Sequence, residues 1–230
     1  ISQYKKFKVK IIIFPKKISF KKYSKIKKLF GKNVITFKEN FPTATKKFIK
    51  LINDLKIDTG INTCWPYRVR KSFINLFDYG IINFHPSPLP INKGCHSSFW
   101  GIYLNKNHGC TMHLMDSNFD NGAILDQIVY KNNNEILAKT VWSKSHSLAT
   151  NLLKKNLNKI YSKNLKKRKN GAGNYNKKTK IQNVTTLEHK DKIKVSELWK
   201  IIRGVSFADN GFYILVNKKK YKIVPKVKSC

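Results

Sequence analysis

Asn83, His85 and Asp120 are the residues of this chain whose types and spacing suit an acyl transfer. Asn83 and His85 stand two apart at the end of the apolar run Gly80–Phe84, so a strand there turns both to one face. Asp120 opens the turn Asp120-Asn121-Gly122 after a second alternating stretch, Gly109 to Asp116. An amide can donate to an oxygen that gains negative charge. An imidazole beside a carboxylate can relay a proton near neutral pH. A strand-end histidine on its own is more often a satisfied structural residue, so the pattern around it must carry the argument. Pro86, Pro88, Pro90 and Gly94 follow at once and force a rigid loop in place of a helix.

Positioning these groups requires a sheet, and the chain supplies its strands by period. Val9 to Phe14 is a short continuous apolar run of the kind buried on both faces, and Asn33 to Phe37 reads as a second strand. Lys21 to Phe30 reads as a short helix. Phe48, Leu51, Ile52 and Leu55 recur at helical spacing, with Thr43 or Thr45 as the cap. Ile57 to Thr63 forms a third strand, Val69 to Phe77 a helix, and the Gly80 strand follows. Alternation of this kind predicts an α/β fold with a Rossmann-like, mostly parallel sheet and helices on both faces. Ligands of such sheets gather at the carboxyl ends of the strands, where Asn83 and His85 stand. Beyond the loop, Ser97 or Ser98 caps a helix through Trp100, Ala123 to Tyr130 is a strand, and Glu135 to about Ser162 is a long Lys-rich helix. Residues 163–180 are basic, Gly/Asn-rich and nearly free of apolar side chains. They read as a linker, or as a loop that contacts phosphate. A short helix (SELWKIIRG) and a β-hairpin turning near Asn217 complete a small C-terminal extension. The expected blocks are a catalytic domain over 1–162, the linker 163–180 and the extension 181–230.

Composition narrows the class. Lys and Arg number 47 against 12 Asp and Glu, a formal net charge of +35. The bases are mostly Lys, spread along the chain with Asn and Ile. This reads as compositional drift ahead of a nucleic-acid surface, and it favours anionic substrates under either reading. Cys64, Cys95, Cys110 and Cys230 show no metal spacing and suit a reduced, cytoplasmic protein. No apolar run approaches the roughly 18 residues of a membrane helix.

The full pattern is N-x-H-P-S-x-L-P-x-x-K-G, then W, then G-x-T-x-H-x-M-D, then D-x-G-x-I-L, over Asn83 to Gln127. It resembles the formyltransferases that use 10-formyltetrahydrofolate, a family that includes methionyl-tRNA formyltransferase, glycinamide ribonucleotide transformylase and sugar N-formyltransferases. The resemblance implies that Asn83 donates to the oxyanion of a tetrahedral intermediate and that His85 steadies it. It also implies that Asp120 orients His85 and helps move the amine proton, with no metal. It places the pterin against Trp65, Pro66 and Tyr67 on one loop and Leu114, Met115, Asp116 and Phe119 on another. A flat apolar wall of that kind suits a heteroaromatic ring. Lys93, Gly94 and Trp100 fall on the acceptor side. His113 and Asp126 read as structural, Asp116 also as a turn-shaping residue, and the spacing alone does not assign His96 and Ser97. The tail resembles that of enzymes acting on nucleotide-linked amino sugars, which makes such a sugar the leading acceptor. Methionyl-tRNA is the runner-up, and an inert nucleic-acid-binding module is a third reading. The resemblance also implies a further strand and helix ahead of the Val9 strand, which the catalytic block as given would lack, and it is compatible with a homodimer.

Overall fold

The computed structural model describes residues 8–14, 17, 19–30, 35–38, 43–63, 65, 67–207 and 211–227. The chain divides into two compact units, each discontinuous in sequence. The first comprises Ile1–Asn83, Leu114–Phe119 and Asn156–Lys166. The second comprises Phe84–His113, Asp120–Lys155 and Lys167–Cys230.

In the first unit the apolar run from Val9 condenses to β1 (Ile11–Phe14), followed by α1 (Phe20–Phe30) and β2 (Ile35–Lys38). β1 and β2 pair in parallel with Ile11 opposite Ile35. The helical spacing around Phe48 produces α2 (Lys46–Asp54), and the Thr45 hydroxyl accepts from Phe48 N at 3.3 Å. β3 (Gly60–Asn62), α3 (Lys71–Ile74) and β4 (Ile81–His85) follow, with β3 parallel to β4 and Asn62 opposite Asn83. Phe48, Val69, Phe73, Ile74 and Ile81 form this unit's core, and the Phe48 and Phe73 rings meet edge to face at 5.4 Å. β3 and α3 are each shorter than the apolar pattern suggests.

β4 continues into the second unit, which adds β5 (Lys93–Gly94), α4 (Ser97–Tyr103), β6 (His108–Leu114) and β7 (Ile124–Tyr130). β6 and β7 pair antiparallel, with His108 opposite Tyr130. The cap of α4 is His96 in the left-handed region at φ 58°, where a serine was expected. Ser97 is instead the first helical residue, and its hydroxyl donates to Pro86 O at 3.1 Å. α5 (Ala138–Tyr161) is the long Lys-rich helix.

Residues 167–180 behave as an integral part of the second unit. Arg168 exchanges backbone hydrogen bonds with Ile124, and β8 (Tyr175–Asn176) runs parallel to β5. A 3-10 turn over Lys178–Ile181 leads into α6 (Gln182–Thr185) and β9 (Thr186–Glu188). The expected helix is α7 (Val195–Val205) and the expected hairpin is β10 (Phe212–Val216) with β11 (Lys219–Ile223). Asn217 and Lys218 both take positive φ, the signature of a type I′ hairpin turn. β9 adds to β10 in parallel. Phe99, Trp100, Ile201, Val205 and Phe212 form the core beneath this extension.

Candidate active site

All residues of β4 are buried, so its polar members Asn83 and His85 need partners. In the first unit, Asn62 Nδ2 donates to Asn83 Oδ1 at 2.8 Å and approaches Met115 Sδ at 3.8 Å. The bond fixes the Asn83 amide with its oxygen toward Asn62 and its NH2 end turned away from Asn62. Asn62 was not anticipated. A polar residue opposite Asn83 in a parallel pair is the only signal that points to it.

In the second unit His85 is 5% exposed and has acceptors at both ring nitrogens. Nε2 lies 2.9 Å from the Asn92 carbonyl, and Nδ1 lies 3.3 Å from Asp120 Oδ2. Asp120 in turn accepts from Gly94 N at 2.8 Å, and its Oδ1 lies 3.6 Å from His113 Nε2. His113, read from sequence as a packed strand histidine, is 1% exposed and belongs to this cluster. Burial works to raise the Asp120 carboxyl, but His85, His113 and the Gly94 N–H outweigh it and hold the group at about 2. Burial lowers the His85 imidazole below its ordinary range, against the upward pull of Asp120 and the Asn92 carbonyl. Near neutral pH the pair is therefore a carboxylate facing a neutral ring.

The Pro-rich loop is rigid because two strand residues satisfy its backbone. Thr111, wholly buried on β6, donates to Ser87 O at 2.7 Å and accepts from Leu89 N at 2.9 Å. Gln127 on β7 donates to Leu89 O at 2.9 Å and to Thr111 Oγ1 at 2.7 Å. The Thr111 hydroxyl thus uses its one donor and both lone pairs.

The residues expected to face a pterin lie in the first unit, apart from Pro66, which falls outside the described residues. Trp65 and Tyr67 meet edge to face at 6.1 Å. Trp65 and Met115 line a cavity of about 730 Å³ together with Asn62, Val69 and Phe73. The Trp65 Nε1 donor is buried without a hydrogen-bond partner among the described residues. A buried, unsatisfied donor on an apolar wall fits a ring that carries acceptor nitrogens or carbonyls. Arg68 Nη2 donates to Ser117 O at 2.9 Å, and the Arg68 Cζ stands 5.9 Å from the centre of the Phe119 ring, tying the two expected loops together. Leu114 closes β6, and Asp116 accepts from Asn118 N at 2.9 Å, the turn-shaping role allowed for it. Asp126 pairs with Lys155 at 2.9 Å.

On the expected acceptor side, Lys93 is 6% exposed, and its ammonium bonds Asn121 Oδ1 at 2.7 Å and Gly171 O at 3.0 Å. It ties two loops together. Gly94 takes φ 88°, and a Cβ there would strike Asn176 O at 2.5 Å, so only glycine lets β5 and β8 meet. Trp100 is 2% exposed and packs in the core against Phe99, instead of lining an open surface.

Residues 9–163 match the family model described as Formyl transferase. Among similar curated proteins, GDP-perosamine N-formyltransferase of Brucella melitensis is 45% identical over 56 residues, 24% of this chain and 22% of that protein. Methionyl-tRNA formyltransferase of Halothermothrix orenii is 32% identical over 116 residues, 50% of this chain and 37% of that protein. The matched stretch thus spans well under half the length of either relative. A sugar N-formyltransferase from a Shewanella species superposes with a TM-score of 0.79 at 20% identity, covering 96% of this chain and 85% of the other. An N-formyltransferase from Helicobacter canadensis, solved with folinic acid and dTDP-3-aminofucose, superposes with a TM-score of 0.63 at 22% identity, covering 94% and 87%. At these identities the structural likeness is one of fold, and it extends over the C-terminal extension.

Proposed function

This chain belongs to the formyl transferase family, and on that premise we propose that it moves a formyl group from 10-formyltetrahydrofolate to the amine of a nucleotide-linked amino sugar, such as a dTDP-4-amino-4,6-dideoxyhexose. The observation that carries the reading is the buried contact of 3.3 Å between His85 and Asp120 on the family's Asn-x-His…Asp pattern.

The folate, when bound, supplies the activated formyl carbon. Trp65, Tyr67, Leu114, Met115, Asp116 and Phe119 are the described residues that would hold its ring, and Pro66 joins them in sequence. Asn83, its amide set by Asn62, presents an NH2 donor to the oxygen that gains charge. One such donor is worth roughly 3 kcal/mol. His85 takes the proton that the attacking amine must shed. A neutral imidazole carries one ring proton, yet this one faces two acceptors, a carbonyl and a carboxylate. One nitrogen therefore meets an acceptor without a hydrogen between them, and a proton from the amine completes both bonds. Asp120, ionised far below neutral pH, stabilises the imidazolium that results, and His85 would then give this proton to the donor nitrogen that is released when its bond to the formyl carbon breaks. Lys93 and Gly94 act on the acceptor side by shaping the loops around it, and Trp100 supports them from the core.

Methionyl-tRNA is the second reading, favoured by the longer match to the Halothermothrix orenii enzyme and by the net charge of +35. Folate-dependent transfer, followed by mass spectrometry across dTDP- and GDP-linked amino sugars and methionyl-tRNA, separates the two. Formylation of the sugar is the expected result. Formylation of tRNA alone would overturn the acceptor, and no transfer to any amine would overturn the activity.

A further inference from the structure

The basic segment after α5 holds both partners of the His85–Asp120 pair from behind. Asn92, 1% exposed and in the left-handed region at φ 57°, carries the carbonyl that faces His85 Nε2. Asn174 grips it reciprocally. Asn92 N donates to Asn174 Oδ1 at 2.8 Å, and Asn174 Nδ2 donates to Asn92 Oδ1 at 2.8 Å. Asp120 is also left-handed, at φ 51°. Asn170 Nδ2 donates to Asp120 O at 2.9 Å and to Gly122 O at 3.2 Å, across that turn. A left-handed backbone is uncommon outside glycine, although Asn and Asp tolerate it better than other residues, and contacts from neighbours hold it in place. Here each strained residue is fixed by one asparagine of the same segment. The close fit depends on Gly173, where a Cβ would collide with the Pro90 carbonyl.

We propose that Asn170 and Asn174 are positioning residues for this pair, Asn174 acting on His85 through the Asn92 carbonyl and Asn170 acting on Asp120 through its backbone. Both act through protein groups, Asn174 through Asn92 and Asn170 through the carbonyls of Asp120 and Gly122. The activity part of the test rests on the formyl-transfer reading, whereas the spectroscopic part does not. The groups that face the His85 ring are Asp120 from the turn after β6, His113 from β6 and the Asn92 carbonyl from the Pro-rich loop. The carbonyl favours the protonated ring, so its loss lowers the titration midpoint.

The test uses the full chain with ¹⁵N-labelled histidine, as wild type, Asn174→Ala, Asn174→Asp and Asn170→Ala. Imidazole NMR across pH is combined with steady-state transfer to a dTDP-linked 4-amino sugar. In Asn174→Ala the His85 signals shift and its midpoint falls, while His108, held by Asn132, titrates as before. kcat falls about 10- to 100-fold, the scale of a displaced catalytic group, with both KM values within about twofold. Asn174→Asp recovers most of kcat, because the Asn92 amide can turn to donate to the new carboxylate. Asn170→Ala lowers kcat similarly and leaves the Asn92 contact with His85 intact. A folded Asn174→Ala with wild-type His85 signals and kcat would overturn the proposal, as would a rise in KM with kcat kept. Failure of all three variants to fold would also overturn it in favour of a purely structural role. A wild type without transfer refutes the functional reading alone, since the His85 titration still decides the positioning.

Discussion

Replacing Asp120 with Asn tests the electrostatics of the site through stability, with no need of a substrate. The carboxylate is largely buried and held at about 2, where an unconstrained aspartate sits near 3.8. That difference corresponds to roughly 2 kcal/mol of preference for the folded, ionised form. A group whose pKa is lowered on folding contributes in full above its unfolded value and loses the contribution as pH falls through its folded value. The window for Asp120 therefore runs from about pH 4 down to about pH 2. His85, also lowered on folding, begins to destabilise the fold below its ordinary 6.5, so the Asp120 effect is read below pH 4. Asn keeps the shape and still accepts from Gly94 N, but it has no charge to lose. Urea unfolding of both proteins at pH 4 and pH 2.5, followed by tryptophan fluorescence, should show a stability gap that is narrower by about 1–2 kcal/mol at the lower pH. A gap that stays constant over that range would refute the ion-pair account of this cluster.

Asn83→Ala should lower kcat by about 10²- to 10³-fold with KM nearly unchanged, as read by steady-state transfer; a rise in KM alone would remove Asn83 from the oxyanion role. Trp100→Ala should cost about 3–5 kcal/mol and lower Tm, because the ring is core, and a stable variant with a raised acceptor KM would show instead that it meets substrate. Gly173→Ala should destabilise by about 1–3 kcal/mol in thermal unfolding, since the Pro90 carbonyl blocks the added methyl. Arg68→Ala should raise the folate KM several-fold and spare the acceptor KM, because it unties the two loops beside the Trp65 cavity.

Much of this architecture was legible because it is written in apolar spacing. The run before Pro15, the Phe48 stripe and the Gly80 strand each became the expected element, with ends trimmed where only backbone hydrogen bonding could decide them. β5 and β8 were not legible, since two-residue strands carry no period. Residues 163–180 resembled a linker for a related reason. Apolar residues announce packing, whereas Asn170 and Asn174 dock through amides and glycines, which sequence reading associates with loops. His113 read only as a structural strand residue, because alternation places a side chain on one side of a strand without saying that Asp120 lies opposite. Asn62 belongs to the same class, a residue made informative only by the register of β3 against β4. Trp100 shows the converse, where position in a motif suggested a ligand contact and an aromatic core claimed the side chain.

The pairing of β5 with β8 also imposes an order of events during synthesis. His85 and Asp120 leave the ribosome well before Asn174, since 174−120=54 residues separate the last two, and at about 5–20 residues per second the interval is several seconds. Throughout it, the nascent chain holds the groups that would do the chemistry but not the amides that brace them. On the proposed roles, the brace is completed only when residues 170–176 pair against Pro90 to Gly94. Any event that stops translation inside the asparagine-rich stretch leaves a chain with its reactive residues in place and their geometry unset.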